Sequence, residues 1–288
     1  MLTNFVGVLF DGIAYGSLLF MISIGLSVTL GLMNFVNLAH GAFAMVGGYL
    51  SVWAMSRLGV PFLACLPLAF VITAVVGVVL ERTLYQRLYR ASHLDQVLFS
   101  IGLTFMAIAA ATYFWGPQQQ PVILPDFLRG QVHVLGLDLG SYRLFLVGVV
   151  IVVTLLLGYL VERTRFGAQI RASVDNQQAS AGLGINVNRV FLLTFALGSG
   201  LAGLGGALGI DVLGLDPTFP VKYMVYFLLV VTVGGAGTIK GPLVAAVILG
   251  VFDVAGKYYA PQIGAFIIYA MMVVLLVVFP AGLYGRRA

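Results

Sequence analysis

Polar side chains that could carry chemistry are rare in this sequence, and two glycine-broken segments hold several of them. Residues 31–49 read GLMNFVNLAHGAFAMVGGY, where Asn34, Asn37 and His40 interrupt apolar residues. Residues 234–250 read GGAGTIKGPLVAAVILG, where glycines, a threonine, a lysine and a proline break the apolar run. At membrane depth such groups persist only inside a bundle or beside a water-filled cavity. The pattern therefore favours a solute pathway over tight helix packing in both segments.

His40 is the side chain with the widest choice of chemistry. A histidine inside a membrane could relay protons, but a relay normally needs an acidic partner. The intramembrane acids, Asp11 and Asp253, both fall near the external ends of their predicted spans. We interpret His40 as a hydrogen-bonding residue that holds the first broken segment, with a proton relay as the minor alternative.

The sequence lacks the residues that metal, disulfide, nucleotide-binding and nucleic-acid sites require. The three histidines lie far apart, and Cys65 is the single cysteine, so neither a metal site nor a disulfide is expected. The sequence contains no GxxxxGK[ST] phosphate loop. Basic residues are scattered singly, which argues against nucleic acid as a partner. We therefore predict a chain without its own cofactor that is not an enzyme.

The composition predicts which elements position these residues. Of 288 residues, 61% are hydrophobic and 9% are charged, against about 25% charged in soluble domains. Mean hydropathy is +1.06. The sequence thus predicts an all-α, polytopic transmembrane bundle that forms a single domain over residues 1–288. Eight or nine spans of roughly 20 residues are expected. The nine candidates are 5–32, 42–55, 60–80, 97–115, 144–161, 190–212, 223–233, 242–255 and 263–279.

The basic residues predict the orientation of these spans. Nine crossings place ten basic residues on one side (Arg82, Arg87, Arg90, Arg163, Arg165, Arg171, Arg189, Lys240, Arg286 and Arg287) and five on the other (Arg57, Arg129, Arg143, Lys222 and Lys257). The richer side is expected in the cytoplasm. The N-terminus is then outside and the C-terminus inside. Residues 116–141 become an external loop, and residues 162–189 become a cytoplasmic loop.

Three further features concern loops and packing. Residues 168–181 alternate small, polar and apolar types, which predicts an amphipathic surface helix that Gly182 and Gly184 end. The pattern leaves open whether this loop docks a partner or only connects spans. The two broken segments precede short spans in both halves, which indicates a candidate inverted repeat with both breaks near the midplane. Residues 198–209 contain GLGGALG, which predicts close helix packing.

Three stretches together resemble the branched-chain amino-acid ABC permeases of the LivH and LivM type. NFVNLAHGAFAMVGGY is similar to the NFAHGxxxxxGAY signature, and FGAQIRASVDNQQASAGLGINVNRV resembles the coupling segment of that family. GGAGTIKGPLVAAVILG is similar to its GGxGSxxGPxxGAxxLG segment. The FPAGLYGRR ending is closer to LivH than to LivM.

The resemblance implies a permease subunit of an importer in a bacterial inner membrane. Its partners would be two ATPases that use ATP and Mg, an extracytoplasmic binding protein, and a second permease that is LivM-like or a second copy. The substrates would be branched-chain or hydrophobic amino acids, or a related small carboxylate or amide. A proton-coupled secondary transporter and a passive channel for a small polar solute are the alternatives.

Two sets of site residues follow from these considerations. The predicted path contains Asn34, Asn37, His40, Gly41, Gly234, Gly235, Gly237 and Thr238. The resemblance implies that the ATPases contact Gly167, Arg171, Ala172, Asp175, Ala179, Gly184 and Ile185.

Overall fold

The computed structural model describes residues 2–33, 35–89, 91–122, 124–134, 137–280 and 282–284, so the predicted path residue Asn34 lies outside the described part. Within it the chain is almost entirely helical. The α-helices are α1 (Leu2–Met33), α2 (His40–Leu58), α3 (Phe62–Thr83), α4 (His93–Trp115), α5 (Ser141–Arg163), α6 (Arg165–Asp175), α7 (Gln177–Gly182), α8 (Val187–Leu213), α9 (Phe219–Gly234), α10 (Lys240–Tyr259) and α11 (Gly264–Val278). Short 3-10 helices cover Tyr85–Leu88 and Asp126–Leu128.

Each of the nine predicted spans coincides with a helix of this set. Six of them are long and apolar enough to cross a membrane, namely α1, α3, α4, α5, α8 and α10. The apolar helices α9 and α11 are shorter, at 16 and 15 residues. Helix α2 has 19 residues and ends at Leu58, where Gly59 caps it with a φ of +66° that suits glycine. The chain is therefore an all-α polytopic bundle.

The predicted external loop is more ordered than a simple connection. Strands β1 (Gln131–Val134) and β2 (Leu137–Gly140) form an antiparallel hairpin between α4 and α5. His133 lies opposite Asp138, and its Nδ1 contacts the Asp138 carboxylate. We call the end of the bundle that carries this hairpin the hairpin end, and the end that carries α6 and α7 the loop end.

The bundle contains the same motif twice, in opposite directions. Helices α1, α2 and α3 follow one another as α8, α9 and α10 do, with a short irregular connection after the long first helix in both halves. Helices α1 and α8 are antiparallel, because Gly25 packs on Gly198, whereas Ile22 packs on Gly205. The main partner of α1 is α10, and the main partner of α8 is the equivalent helix α3. The predicted inverted repeat is therefore present at the level of topology.

Glycines on α8 allow three helices to approach it closely. A Cβ on Gly206 would overlap the carbonyl oxygen of Ala44 in α2, and one on Gly203 would overlap the Thr73 side chain in α3. A Cβ on Gly198 would lie 2.8 Å from Thr29 in α1. These contacts give residues 198–209 the packing role that the sequence predicts.

The amphipathic segment differs from the single helix predicted over 168–181. Helix α6 begins earlier, at Arg165, and Asn176 separates it from α7. The Asn176 side chain accepts a hydrogen bond from Ala179 N at 2.9 Å and thereby caps α7. Asparagine favours such caps over helix interiors because its side chain competes for backbone groups. Helix α7 ends at Gly182, and Gly184 has φ +86°, as the predicted helix stop requires.

Candidate functional site

The connection between α1 and α2 folds back into the bundle. His40, the first residue of α2, places its Nε2 2.8 Å from the carbonyl oxygen of Ile22. Ile22 lies 11 residues before the end of α1 at Met33, which is about 16 Å along a helix. Thr104, at the centre of α4, donates to Leu38 O at 3.5 Å. Helix α2 thus begins at the middle level of the bundle, as predicted for the first broken segment.

A buried Asx turn forms this re-entrant connection. Asn37 is 3% exposed, and its Oδ1 accepts from Ala39 N at 3.1 Å and from the Tyr85 hydroxyl at 2.9 Å. His40 N donates to Asn37 O at 3.3 Å. The hydrogen-bonding role predicted for His40 agrees with its contact to Ile22.

The same turn precedes α9 in the second half of the chain. Asp216 Oδ1 accepts from Thr218 N at 2.8 Å, and Phe219 N donates to Asp216 O at 3.1 Å. Sequence reasoning missed Asp216. The signal was available in the stretch LDPTFP, because an aspartate before proline and threonine is typical of a turn that leads into a helix.

The beginnings of α2 and α9 meet inside the bundle. A Cβ on Gly41 would lie 3.0 Å from Pro220 Cα and 3.1 Å from Phe227 Cε2, so these helices approach as closely as glycine allows. Gly41, Pro220 and Phe227 are all buried. The first predicted path segment is therefore in contact with α9, whose start the sequence analysis did not single out.

The second glycine-broken segment lies at a different level. The α9–α10 connection packs on the last turns of α1, where Gly237 N donates to Ser27 O at 3.0 Å and Ser27 Oγ donates to Thr238 O at 3.1 Å. A Cβ on Gly31 would overlap Gly237 Cα. The segment thus departs from the predicted midplane position and lies nearer the loop end. The reason is that its glycines serve a sharp turn against the end of α1.

Backbone geometry explains the glycines of this turn. Gly235 has φ +94° and Gly237 has φ +79°, conformations that L side chains rarely adopt. The Thr238 hydroxyl donates to Gly235 O at 3.0 Å and closes the turn. Gly234 packs on Gly241 and Pro242 at the start of α10. Gly234 and Gly235 are buried, whereas Gly237 is exposed and Thr238 half-buried.

Helix α6 is fixed to the loop end of the bundle. A Cβ on Gly167 would overlap the carbonyl oxygens of Leu160 and Val161 in α5. The Thr164 side chain caps α6 by accepting from Gly167 N at 3.1 Å. Arg171 donates to Val161 O. The polar segment therefore packs as a surface helix against the end of α5.

The predicted ATPase-contact residues differ in exposure. Gly167 is buried, Ala172 and Ile185 are half-buried, and Arg171, Asp175, Ala179 and Gly184 are exposed. Leu183, beside Gly184, is 83% exposed. Ile170 faces inward and forms a small apolar cluster with Val190 and Phe191 of α8. The segment thus has one buried face and one open face.

Tyrosines of the α3–α4 connection lie between α6 and the re-entrant turn. Tyr85 is fully buried, and Tyr89 donates to Glu81 Oε1 at 2.6 Å. Burial raises the pKa of both tyrosines, so their hydroxyls keep their protons and act as donors.

At the hairpin end, the segment before α5 and the first turn of α5 contact both halves of the bundle. Gln120 N donates to Leu215 O at 2.8 Å, and the Tyr142 hydroxyl donates to Leu208 O at 2.6 Å. Arg143 forms an ion pair with Asp11. The 116–141 segment thereby rests on the α8–α9 connection. Among the described residues, no group of three or more histidine, cysteine, aspartate or glutamate side chains could hold a metal ion.

Comparison with known proteins gives one family over nearly the whole chain. The family described as branched-chain amino acid transport system, permease component, matches residues 8–276. The branched-chain amino acid permease protein BraD of Pseudomonas aeruginosa is 25% identical over 291 residues, which cover 96% of this chain and 95% of that protein. LivH of Escherichia coli is 26% identical, with coverage of 96% and 94%.

An archaeal relative matches to the same degree. The probable branched-chain amino acid permease LivH of Methanocaldococcus jannaschii is 26% identical over 298 residues, which cover 96% of this chain and 92% of that protein. No solved structure matches the chain.

Proposed function

Because this chain belongs to the branched-chain amino acid transport permease family, we propose that it is a membrane subunit of an ABC importer for branched-chain or related hydrophobic amino acids. The observation that carries the proposal is the meeting of two re-entrant helix starts, at Gly41 and Pro220, at the middle level of the bundle. Broken helices with equivalent positions in two halves are typical of transporter substrate paths.

The proposed path passes the re-entrant turn and continues to the α9–α10 connection. Asn37, His40 and Gly41 form the middle of this route, and Asn34 belongs to the same segment. Gly234, Gly235, Gly237 and Thr238 lie nearer the loop end and would form its exit. Substrate contacts with these walls should be weak, because a permease that binds tightly releases slowly.

ATP hydrolysis is assigned to partner subunits. The sequence has no phosphate loop. In the α6–α7 segment and the turn after it, Arg171, Asp175, Ala179 and Gly184 are exposed. We assign this open face to contact with two ATPases, which use ATP and Mg. A second permease subunit, LivM-like or a second copy, and a binding protein docked on residues 116–141 would complete the importer.

The mechanism is alternating access. Closure of the ATPases on ATP would displace α6, which is fixed to α5 by Gly167 and Arg171. The bundle would then rock around the contact between α2 and α9. Small glycines at the helix contacts let the walls approach and part without filling the route.

Reconstitution tests this function. The chain, its ATPases, the second permease and the binding protein should together take up leucine into proteoliposomes only when ATP is present. Removal of ATP should reduce uptake to the leak rate, and an uncoupler should have no effect. Uptake driven by a proton gradient without ATP would indicate the secondary transporter, and flux without either energy source would indicate the channel.

The proposed orientation puts the hairpin end outside and the loop end in the cytoplasm of a bacterial inner membrane. Gln119 and Gln177 are exposed at opposite ends, and Cys65 is buried. In a Cys65→Ala background, a cysteine at position 119 should react with an impermeant thiol reagent on intact cells. A cysteine at position 177 should react only after permeabilisation. Labelling of position 177 on intact cells would contradict the proposed orientation and indicate the reverse one.

A further inference from the structure

The α3–α4 connection lies between the amphipathic segment and the re-entrant turn. On one side, Tyr89 packs against the cluster that Ile170 of α6 forms with Val190 and Phe191. The Tyr89 and Phe191 rings meet edge to face at 5.6 Å. Tyr89 also contacts Phe35, just before the Asx turn, with ring centroids 6.3 Å apart. A displacement of α6 would therefore also displace Tyr89.

On the other side, Tyr85 is attached to the turn itself. Its hydroxyl donates to Asn37 Oδ1 at 2.9 Å, and its ring lies 5.3 Å from Phe35 and 4.6 Å from Phe195 of α8. Phe99 of α4 packs edge to face on the same ring at 5.2 Å. The Tyr85 ring is thus packed between aromatic rings of other segments. Its hydroxyl group makes the hydrogen bond to the turn.

Resting on the proposed function, we propose that the connection Tyr85–Tyr89 transmits the displacement of α6 to the start of α2, and that the Tyr85–Asn37 hydrogen bond is the positioning contact. Close-packed rings transmit displacement because packed interiors have low compressibility. The hydrogen bond links the connection to one defined point of the turn, because the Tyr85 hydroxyl bonds the Asn37 side chain that closes the Asx turn. Tyr85 is a positioning residue that acts through Asn37, which lines the proposed path.

The Tyr85→Phe variant isolates this bond. Phenylalanine keeps the ring and its three aromatic contacts, so the packing volume is preserved. Asn37 Oδ1 still accepts from Ala39 N, so no buried acceptor is left without a partner and the fold should persist. Tyr142→Phe is the matched control, because Tyr142 is also buried and donates one hydrogen bond, to Leu208 O at the hairpin end.

The measurement is the number of leucine molecules transported per ATP hydrolysed by the reconstituted importer. Tyr85→Phe should assemble and hydrolyse ATP at close to the wild-type stimulated rate, and transport per ATP should fall about five-fold, as expected for loss of one buried hydrogen bond. Tyr142→Phe should keep the wild-type ratio. Ile170→Ala, combined with Tyr85→Phe, should lower the ratio no further than the larger single effect, because both changes act on one route.

Three outcomes would overturn the inference. They are a wild-type ratio in Tyr85→Phe, an equal fall in both tyrosine variants, and full additivity with Ile170→Ala. Failure of the underlying function has a different signature, because the wild-type importer itself would then show no ATP-dependent uptake.

Discussion

Replacing Gly167 with leucine is expected to abolish ATP-driven transport while the permease still inserts into the membrane. A side chain there would overlap the carbonyl oxygens of Leu160 and Val161, so α6 would be displaced from the end of α5. The Thr164 cap would also lose its bond to Gly167 N. We expect substrate-stimulated ATPase activity and transport to fall by more than about tenfold, which corresponds to roughly 1.4 kcal/mol or more of lost coupling.

Gly158→Leu is the matched control for this change. Gly158 lies in α5, close to Leu160 and Val161 but away from the proposed ATPase contact, and a Cβ there would meet no atom within 4 Å. The control should assemble with the ATPases and retain at least half of the transport rate. Normal stimulated hydrolysis in Gly167→Leu would mean that the position of α6 does not matter and that the segment only connects spans.

Replacing Gly31 with leucine is expected to block the route at its loop end. A side chain at this position would overlap Gly237 Cα, so the α9–α10 connection could not pack on the last turns of α1. The bonds from Gly237 N to Ser27 O and from Ser27 Oγ to Thr238 O would be lost with it. Two lost hydrogen bonds at about 1 kcal/mol each predict a reduction of transport by at least about tenfold.

Gly7→Leu serves as the control on the same helix, since a Cβ at Gly7 would meet no atom within 4 Å. Leucine uptake and the amount of purified importer should be measured for both variants, and for Gly31→Ala as a smaller change. We expect normal uptake in Gly7→Leu and an intermediate rate in Gly31→Ala. Wild-type uptake in Gly31→Leu would mean that the contact between Gly31 and Gly237 does not belong to the path.

The same structure changes how substitutions in the second broken segment should be interpreted. Gly235 and Gly237 have positive φ, so leucine at either position would strain the backbone even if it lay off the path. Loss of transport in such variants would therefore combine a turn defect with a blocked route. Gly31 has no positive φ and belongs to a regular helix, so its replacement tests the contact more directly.

Some features were local enough to be predicted from the sequence. The nine helices that coincide with predicted spans follow from apolar runs between polar or glycine breaks, because a span must satisfy its backbone within itself. The helix stop at Gly184 and the packing of 198–209 likewise depend on residue types close in the chain. The motifs resembling the permease family cover three separate segments, and the family match over residues 8–276 agrees with them.

Other local features were available in the sequence but were not recognised. The division of α6 from α7 at Asn176 and the second Asx turn at Asp216 both depend on a short side chain that bonds a backbone N–H two or three residues later. Asparagine and aspartate side chains often form this bond, but the sequence does not indicate which of the asparagines and aspartates in the chain form it.

The sequence by itself determined the membrane class, the helices of the predicted spans and the family. Tertiary structure alone decided that the start of α2 meets α9 and that the α9–α10 connection rests on the end of α1. It also decided that Tyr85 bonds Asn37, 48 residues away. The physical reason is that these contacts join residues far apart in the chain, whose approach depends on how the two inverted halves pack. Hydropathy and motifs encode the elements and their ends, whereas close approach at Gly31, Gly41 and Gly167 exists only once the helices are assembled.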